Sequence, residues 1–192
     1  AAAGLVVTAA TREGMTPTDE SLFRGAAQTA LATGVPVSIR YGSDAVRDLE
    51  VVLEEGLAPD RVLVGGLDRR DAVAADAPLE VARRGAFVGL DHVGLDDDED
   101  YVDDRERASL VMELVEAGYG DRILLSSNAI GVAKGQPDYD LPFGYVLSTF
   151  VPLAESLGLG GEDVRRILVD NPQALLAVRA RTSGRKASTP QR

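Results

Sequence analysis

The chain has 192 residues, 45% of them hydrophobic, and its 31 acidic and 20 basic side chains give a formal net charge of −11. This composition is typical of one globular domain, and the acidic balance argues against binding to nucleic acid or an anionic membrane, since both require a basic surface. The sequence has no cysteine, which excludes disulfides and thiolate zinc sites, and it has neither a membrane-span-like apolar run nor a signal-peptide pattern, so we expect a cytoplasmic protein.

Five short apolar segments rich in β-branched residues alternate with segments of helical pattern. The predicted strands are residues 4–9, 35–40, 61–66, 86–91 and 122–127. This alternation predicts right-handed βαβ units and a parallel α/β sheet. The predicted strands are nearly continuously apolar, as expected when helices cover a sheet. The order excludes a β-sandwich, but it does not separate an open doubly wound sheet from a barrel.

Helix boundary signals are clear at several points. Thr16 and Pro17 predict the start of the first helix and Gly34 its end. The remaining helices are predicted over 44–55, in an Ala-rich segment ending near 85, and over 105–117, 142–157, 161–169 and from 171 onward. The polar residues 179–192 contain little apolar surface to bury, so we expect a disordered tail.

Nucleotide and serine-hydrolase motifs are missing from the sequence. The segment GVAKGQ has the wrong spacing for a phosphate loop, and no G-x-S-x-G elbow occurs. In parallel α/β proteins the carboxyl ends of the strands carry the functional site. The residues at those ends are Val7, Arg40, Gly66, Asp68, Asp91, His92 and Asn128.

Two interpretations of the polar strand-end residues remain open. Asp68, Asp91 and His92 could form an acid–base cluster. Alternatively, the two aspartates cap helices or accept hydrogen bonds from loop amides and His92 has a structural role, and this second interpretation is favoured.

An acidic run, GLDDDEDYVDD at 94–104, follows the fourth strand. Hard cations prefer such oxygen ligands, but the run lacks the alternating ligands and central glycine of an EF-hand. A solvated loop is therefore the favoured interpretation, and its negative charge suits the start of the next helix.

Several segments, in order over residues 3–178, resemble the phosphotriesterase family of the amidohydrolase superfamily. They include ATGVPVSIR, RVLVGGLDRR, GLDH, RILLSSNA and NPQALL. The resemblance implies a (β/α)8 TIM barrel in which the five predicted strands correspond to strands four to eight. Residues 1–178 would then form a partial TIM-barrel domain, that is, an incomplete barrel.

The family's chemistry is implied by this resemblance. Its members hold two divalent metals, usually zinc, that activate a hydroxide for attack on phosphotriesters, lactones or related esters. The ligands are an H-x-H pair on strand one, a carbamylated lysine on strand four, histidines on strands five and six, and an aspartate on strand eight.

The ligand positions carried over to this chain hold unsuitable residues. The matching residues are Val7, Arg40, Gly66 and Asn128, and the strand with the H-x-H pair is expected to lie outside this sequence. A valine, a permanent cation, a glycine and a neutral amide do not form a zinc site. Asp68, Asp91 and His92 match family positions that act around the metals.

A five-stranded part of a barrel would leave apolar strand edges open, which favours association. We expect another chain to complete the barrel, two copies to pair, or the sheet to bend and cover itself. A truncated reading frame is also compatible with the sequence.

The first functional hypothesis is a phosphotriesterase-like protein that lacks the binuclear metal site, is catalytically inactive, needs no cofactor and has a binding or scaffold role. In it, Arg40 binds a small anionic ligand or pairs with Asp91 or Asp68; the ion pair is favoured because an unpaired buried charge is unfavourable.

The alternative hypothesis is a hydrolase of phosphotriester, lactone or related ester bonds. It would use zinc within a completed barrel, or metal-free acid–base chemistry through Asp91 and His92. A third hypothesis, an open α/β fold with an unrelated small-molecule site, has no motif in its support.

Overall fold

A computed structural model of the protein describes residues 4–127 and 142–179. Five parallel strands form one sheet in which each strand pairs with the next along the chain. They are β1 (Val6–Ala9), β2 (Val37–Arg40), β3 (Val62–Gly65), β4 (Phe87–Leu90) and β5 (Ile123–Leu125). A doubly wound sheet reverses its strand order at a switch point. The sequential order here is that of a barrel, which confirms the predicted α/β fold and the strand assignments.

Helices follow the strands through the described residues. They are α1 (Pro17–Thr33), α2 (Ala45–Glu54), α3 (Arg70–Ala74), α4 (Ala77–Arg83), α5 (Asp104–Glu116), α6 (Val151–Ser156), α7 (Gly161–Arg165) and α8 (Asn171–Leu176). Single π-helical turns, Val146–Phe150 and Arg166–Asp170, run directly into α6 and α8. In this part of the chain, the helices are all too short or too polar to span a bilayer.

The first helix begins and ends where the sequence predicts. Thr16 and Asp19 form a reciprocal capping box, Pro17 occupies the first turn, and Gly34 closes the helix with φ 80°. The Ala-rich segment differs from the prediction, because it forms two helices rather than one. Asp76 separates α3 from α4 by taking a left-handed conformation with φ 56°.

The two faces of the sheet have different environments. One face packs against the helices through fully buried strand residues, Val37, Ile39, Val62, Val64 and Val88. The other face is more open, since Val7 is 68% exposed and Arg40 and Ser126 are exposed. The carboxyl ends of the strands on this open face therefore form the concave mouth in which a site would lie.

At the end of the fold opposite the mouth, two arginines connect α8 and residue 179 to the end of α1. The buried guanidinium of Arg61 donates to the carbonyl oxygens of Leu175 at 2.8 Å and Gly34 at 3.0 Å. The backbone N–H of Arg179 also donates to the Gly34 oxygen, at 3.0 Å, and its side chain pairs with Asp60. Residue 179 is thus docked rather than part of a tail, while the predicted tail from 180 onward lies outside the described residues.

Candidate functional site

The strand ends bring several predicted residues around one cavity of about 290 Å³. Arg40, Gly66, Asp91 and His92 line it. Its other lining residues are Val7, Ser38, Ile39, Leu63, Gly65 and Ser126. Asp68 lies behind this cavity and is fully buried, and Asn128 lies outside the described residues. The polar groups of this cavity therefore come from β2 and from the residues that follow β4 and β5.

The two glycines at the end of β3 determine where the Asp91 carboxylate lies. A Cβ atom at Gly65 would come within 2.3 Å of Asp91 Oδ2, so the absence of a side chain there lets the carboxylate lie across the end of β3. Gly66 then turns the backbone with φ 75° and donates its N–H to the same oxygen at 2.8 Å. Ser126 Oγ donates to Asp91 Oδ1 at 3.3 Å.

The electrostatic environment of Asp91 favours its protonated form. Burial, followed by the negative charge of Asp68, raises the pKa of the Asp91 carboxyl above its usual value. The hydrogen bonds from Gly66 and Ser126 act in the opposite direction but do not restore it. Asp91 is therefore the carboxyl group in this mouth that takes up a proton more readily than an ordinary aspartate.

Asp68 is held in a buried ion cluster. Its Oδ2 accepts the backbone N–H of His92 at 2.8 Å and Arg107 Nε at 2.9 Å, and its Oδ1 lies 3.0 Å from His92 Nδ1. Burial alone would raise the pKa of Asp68, but the hydrogen bond with His92 and the charge of Arg107 together hold it below its usual value. The Asp68 carboxylate is thus ionised and holds His92 and Arg107 in place.

Arg107 extends the cluster into the loop between β4 and α5. Its guanidinium is fully buried, pairs with Asp104 and donates to the Val102 carbonyl oxygen at 2.7 Å. Tyr101, from the same loop, stacks on the His92 ring with centroids 3.7 Å apart. The predicted solvated loop is therefore correct for 96–100, which are exposed. It is wrong for Tyr101, Val102 and Asp104, which are buried because they cover this cluster.

Arg40 does not form the predicted ion pair. The donors to Asp68 are Arg107 and His92, and those to Asp91 are Gly66 and Ser126. Within the described residues the exposed guanidinium of Arg40 has no hydrogen bond or ion pair. The preferred pairing of Arg40 with Asp68 or Asp91 is wrong because both carboxylates already have closer donors.

Sequence reasoning missed Arg107, Gly65 and Ser126. A weak signal existed for Arg107, because it falls at helical spacing between Asp104 and Val111, on the face that the helix buries. No local signal distinguishes Gly65 or Ser126, since their roles depend on where Asp91 lies in space.

The described residues do not fit the pair of metals that the family resemblance implies. Val7 and Gly66 offer no donor atom, and Arg40 repels cations. Among residues 4–127 and 142–179 no group of three or more histidine, aspartate or glutamate side chains converges as a metal site. Among the described residues that line the mouth, the charged side chains are Arg40 and Asp91.

Comparison with known proteins decides the family. The sequence profile of the Phosphotriesterase family matches residues 1–176. The chain belongs to the phosphotriesterase family. Its similarity to the Phosphotriesterase homology protein of Mycobacterium tuberculosis is 26% identity over 183 residues, covering 90% of this chain and 55% of that protein. Aryldialkylphosphatase of Saccharolobus solfataricus is 27% identical, with 89% and 57% covered.

Solved structures of the phosphotriesterase family superpose on this chain. The Escherichia coli phosphotriesterase homology protein, complexed with phosphate in its active site, aligns with a TM-score of 0.82 at 26% identity, over 91% of this chain and 60% of that one. The organophosphorus hydrolase from Deinococcus radiodurans aligns with a TM-score of 0.79 at 27% identity, over 91% and 56%. This phosphotriesterase-family chain thus spans a little over half the length of the relatives it matches, consistent with an incomplete barrel.

Proposed function

We propose that this chain is a phosphotriesterase-like protein that lacks the binuclear metal site, is catalytically inactive as a hydrolase, and binds a small anionic molecule in its mouth. The observation that carries the proposal is the exposed guanidinium of Arg40, which lines the cavity and has no bonding partner among the described residues. An arginine offers a planar fork of donors that matches carboxylate and phosphate oxygens.

The surrounding groups support binding over metal-dependent hydrolysis. The positions that the resemblance assigns to metal ligands hold Val7, Arg40 and Gly66 in the described part of the mouth. The nearby carboxylates of Asp68 and Asp91 accept hydrogen bonds from N–H and O–H donors. The Escherichia coli relative has phosphate in its active site, which supports an oxoanion as the ligand proposed for this chain.

Metal analysis and anion titration of the purified chain test this proposal. Protein prepared without chelator and dialysed against zinc should retain much less than one zinc per chain. Inorganic phosphate should bind the native chain, and Arg40→Gln should weaken that binding, while Arg105→Gln, which removes an exposed arginine from α5, should leave it unchanged. One or two zinc ions per chain, or phosphate binding that is insensitive to Arg40→Gln, would contradict the proposal.

The alternative is a hydrolase of phosphotriester, lactone or related ester bonds that works only in a completed barrel, with zinc. The observation that favours it is the open concave face of the sheet, on which Val7 is 68% exposed. Assays on aryl phosphotriesters and lactones with added zinc or manganese decide between the two. Turnover that disappears in His92→Ala would support the hydrolase, and no turnover with either metal would count against it.

The same proposal includes a cytoplasmic location, which the acidic and cysteine-free composition supports.

A further inference from the structure

The mouth holds a guanidinium on β2 and a carboxyl group at the end of β4, and Gly65 of β3 lies between them. In the register of the sheet, Arg40 on β2 lies directly beside Gly65 on β3. The Asp91 carboxylate, which comes from the end of β4, lies over Gly65. Neighbouring strands are about 4.8 Å apart, so the carboxylate lies roughly one strand spacing from the backbone of Arg40. The two side chains nevertheless form no ion pair, since the donors to Asp91 are Gly66 and Ser126.

Both groups retain bonding capacity toward the cavity. A guanidinium has five N–H donors, and those of Arg40 are unused among the described residues. Among the described residues each carboxylate oxygen of Asp91 receives a single hydrogen bond, which leaves further lone pairs on both, and the residue is half-buried. Val7 and Leu63 add apolar surface beside these groups.

We propose that the mouth binds a small dipolar molecule, with an anionic group on Arg40 and an amine or hydroxyl donor on Asp91. The inference rests on the proposed function, because it takes the anion site at Arg40 as its starting point. The ligand class is a short carboxylate or phosphate that carries a hydrogen-bond donor a few bonds away.

The paired charges make ligands with a single polar end a poorer match. An anion without a donor would sit beside the Asp91 carboxylate and gain no bond from it. An amine without an anionic group would face the Arg40 guanidinium, which is always charged. A molecule with both ends satisfies each group at once, and Gly65 places no side chain between them.

Calorimetric titration with matched probes tests the inference on the 192-residue chain at low salt. β-Alanine and phosphoethanolamine carry both ends on a two-carbon spacer and distinguish a carboxylate from a phosphate. Propionate and propylamine each carry one end. We expect one of the two-ended probes to bind at least tenfold more tightly than either one-ended probe. Arg40→Gln and Asp91→Asn should each weaken that binding by roughly tenfold to a hundredfold, as for the loss of a charge-assisted hydrogen bond.

Two control variants, circular dichroism and zinc analysis distinguish a loss of ligand contacts from misfolding and from failure of the proposed function. Arg105→Gln and Asp121→Asn remove the same charges outside the mouth and should leave affinity unchanged; circular dichroism reports whether each variant is folded. If Asp91→Asn does not fold, the Arg40→Gln titration decides. Equal binding of one-ended and two-ended probes by zinc-free protein overturns this inference alone, whereas stoichiometric zinc in the same samples overturns the proposed function.

Discussion

Asp68 shows how a single buried carboxylate organises the residues behind the mouth. It joins the β3–α3 loop to His92 after β4 and to Arg107 in α5, so three separate parts of the chain depend on its charge. A buried ion pair adds little when compared with an apolar replacement, but removing one partner leaves an uncompensated charge. Asp68 is therefore more important as a partner than as an acid or base.

Replacing Asp68 with asparagine should lower the free energy of unfolding by about 1.5–3 kcal/mol at neutral pH, because the buried guanidinium of Arg107 would lose one of its two buried carboxylate partners and keep only Asp104. Urea unfolding followed by circular dichroism measures this. The matched control is Asp100→Asn, which breaks the exposed pair with Arg12 and should change stability by less than about 1 kcal/mol. Equal effects of the two substitutions would show that the buried cluster is not a stabilising unit.

The lowered pKa of Asp68 determines how its contribution to stability changes with pH. Because the pKa of Asp68 is lowered in the folded state, its contribution is complete above the ordinary aspartate pKa of about 3.9 and is lost as the pH falls below it. The pKa of Asp91 is raised in the folded state, so its contribution is complete below the ordinary aspartate pKa and is lost as the pH rises through its raised pKa. Unfolding curves from pH 7 to pH 3 should show the difference between native protein and Asp68→Asn shrinking at the acidic end.

A pair of glycine substitutions tests the placement of the Asp91 carboxylate. Gly65→Ala should destabilise the fold by about 1–3 kcal/mol, since its Cβ would lie 2.3 Å from Asp91 Oδ2. Gly25→Ala, on the exposed side of α1 with open space around it, should stabilise the protein by about 0.5–1 kcal/mol. Thermal melting of both variants measures this, and a stabilising Gly65→Ala would mean that the carboxylate lies elsewhere.

At the scale of the elements, the asparagine of NPQALL ties α8 to β5. Asn171 is buried and its Nδ2 donates to the carbonyl oxygens of Gly120 at 2.9 Å and Ile123 at 2.8 Å. The motif that carried part of the family resemblance therefore has a structural role in this chain. It holds the amino-terminal end of β5, which is the end opposite the mouth.

Asn171→Ala should lower stability by about 1–3 kcal/mol, because it leaves buried carbonyl oxygens without a donor. Gln173→Ala alters an exposed residue of the same helix and should have almost no effect. Hydrogen exchange of the β5 amides provides the specific readout, since faster exchange there is expected only in the Asn171 variant. Unchanged exchange would mean that these two bonds do not hold the strand.

The sequence predicted those features that depend on interactions between residues close together in the chain. The bounds of α1 follow from Thr16, Pro17 and Gly34, which act within one helical turn of the boundary. The break between α3 and α4 was missed because an aspartate in the left-handed conformation, Asp76, leaves no pattern as strong as a glycine. Arg107 was missed because its partner Asp68 lies 39 residues away, and such a pairing depends on the assembled fold.

At the scale of the whole molecule, the sheet ends in two strands that each have a single neighbour among the described residues, β1 and β5. An unpaired strand edge is a template for another chain, and Val7 adds an exposed apolar side chain to the β1 edge. We therefore propose that this chain associates with itself or with a further polypeptide that extends the sheet.

The association prediction concerns Val7. Sedimentation velocity should show that the native chain assembles as its concentration rises, and Val7→Lys should shift the distribution toward the monomer, because lysine on an edge strand opposes pairing. Leu22→Lys provides a matched control on α1, where an exposed leucine lies outside the sheet edge. A native chain that stays monomeric at all concentrations would contradict the prediction.

The left-handed backbone at Gly66 makes this position differ from Val7 and Arg40 in how easily a metal-ligand side chain could be introduced. Val7 and Arg40 lie on extended strand backbone, where a lysine or a histidine can replace them without backbone strain. A histidine at 66 would have to keep φ near 75°, at roughly 1–2 kcal/mol, or turn over the peptide that donates to Asp91. Of the three described positions that the resemblance assigns to metal ligands, position 66 is therefore the one at which a ligand side chain would also strain the backbone.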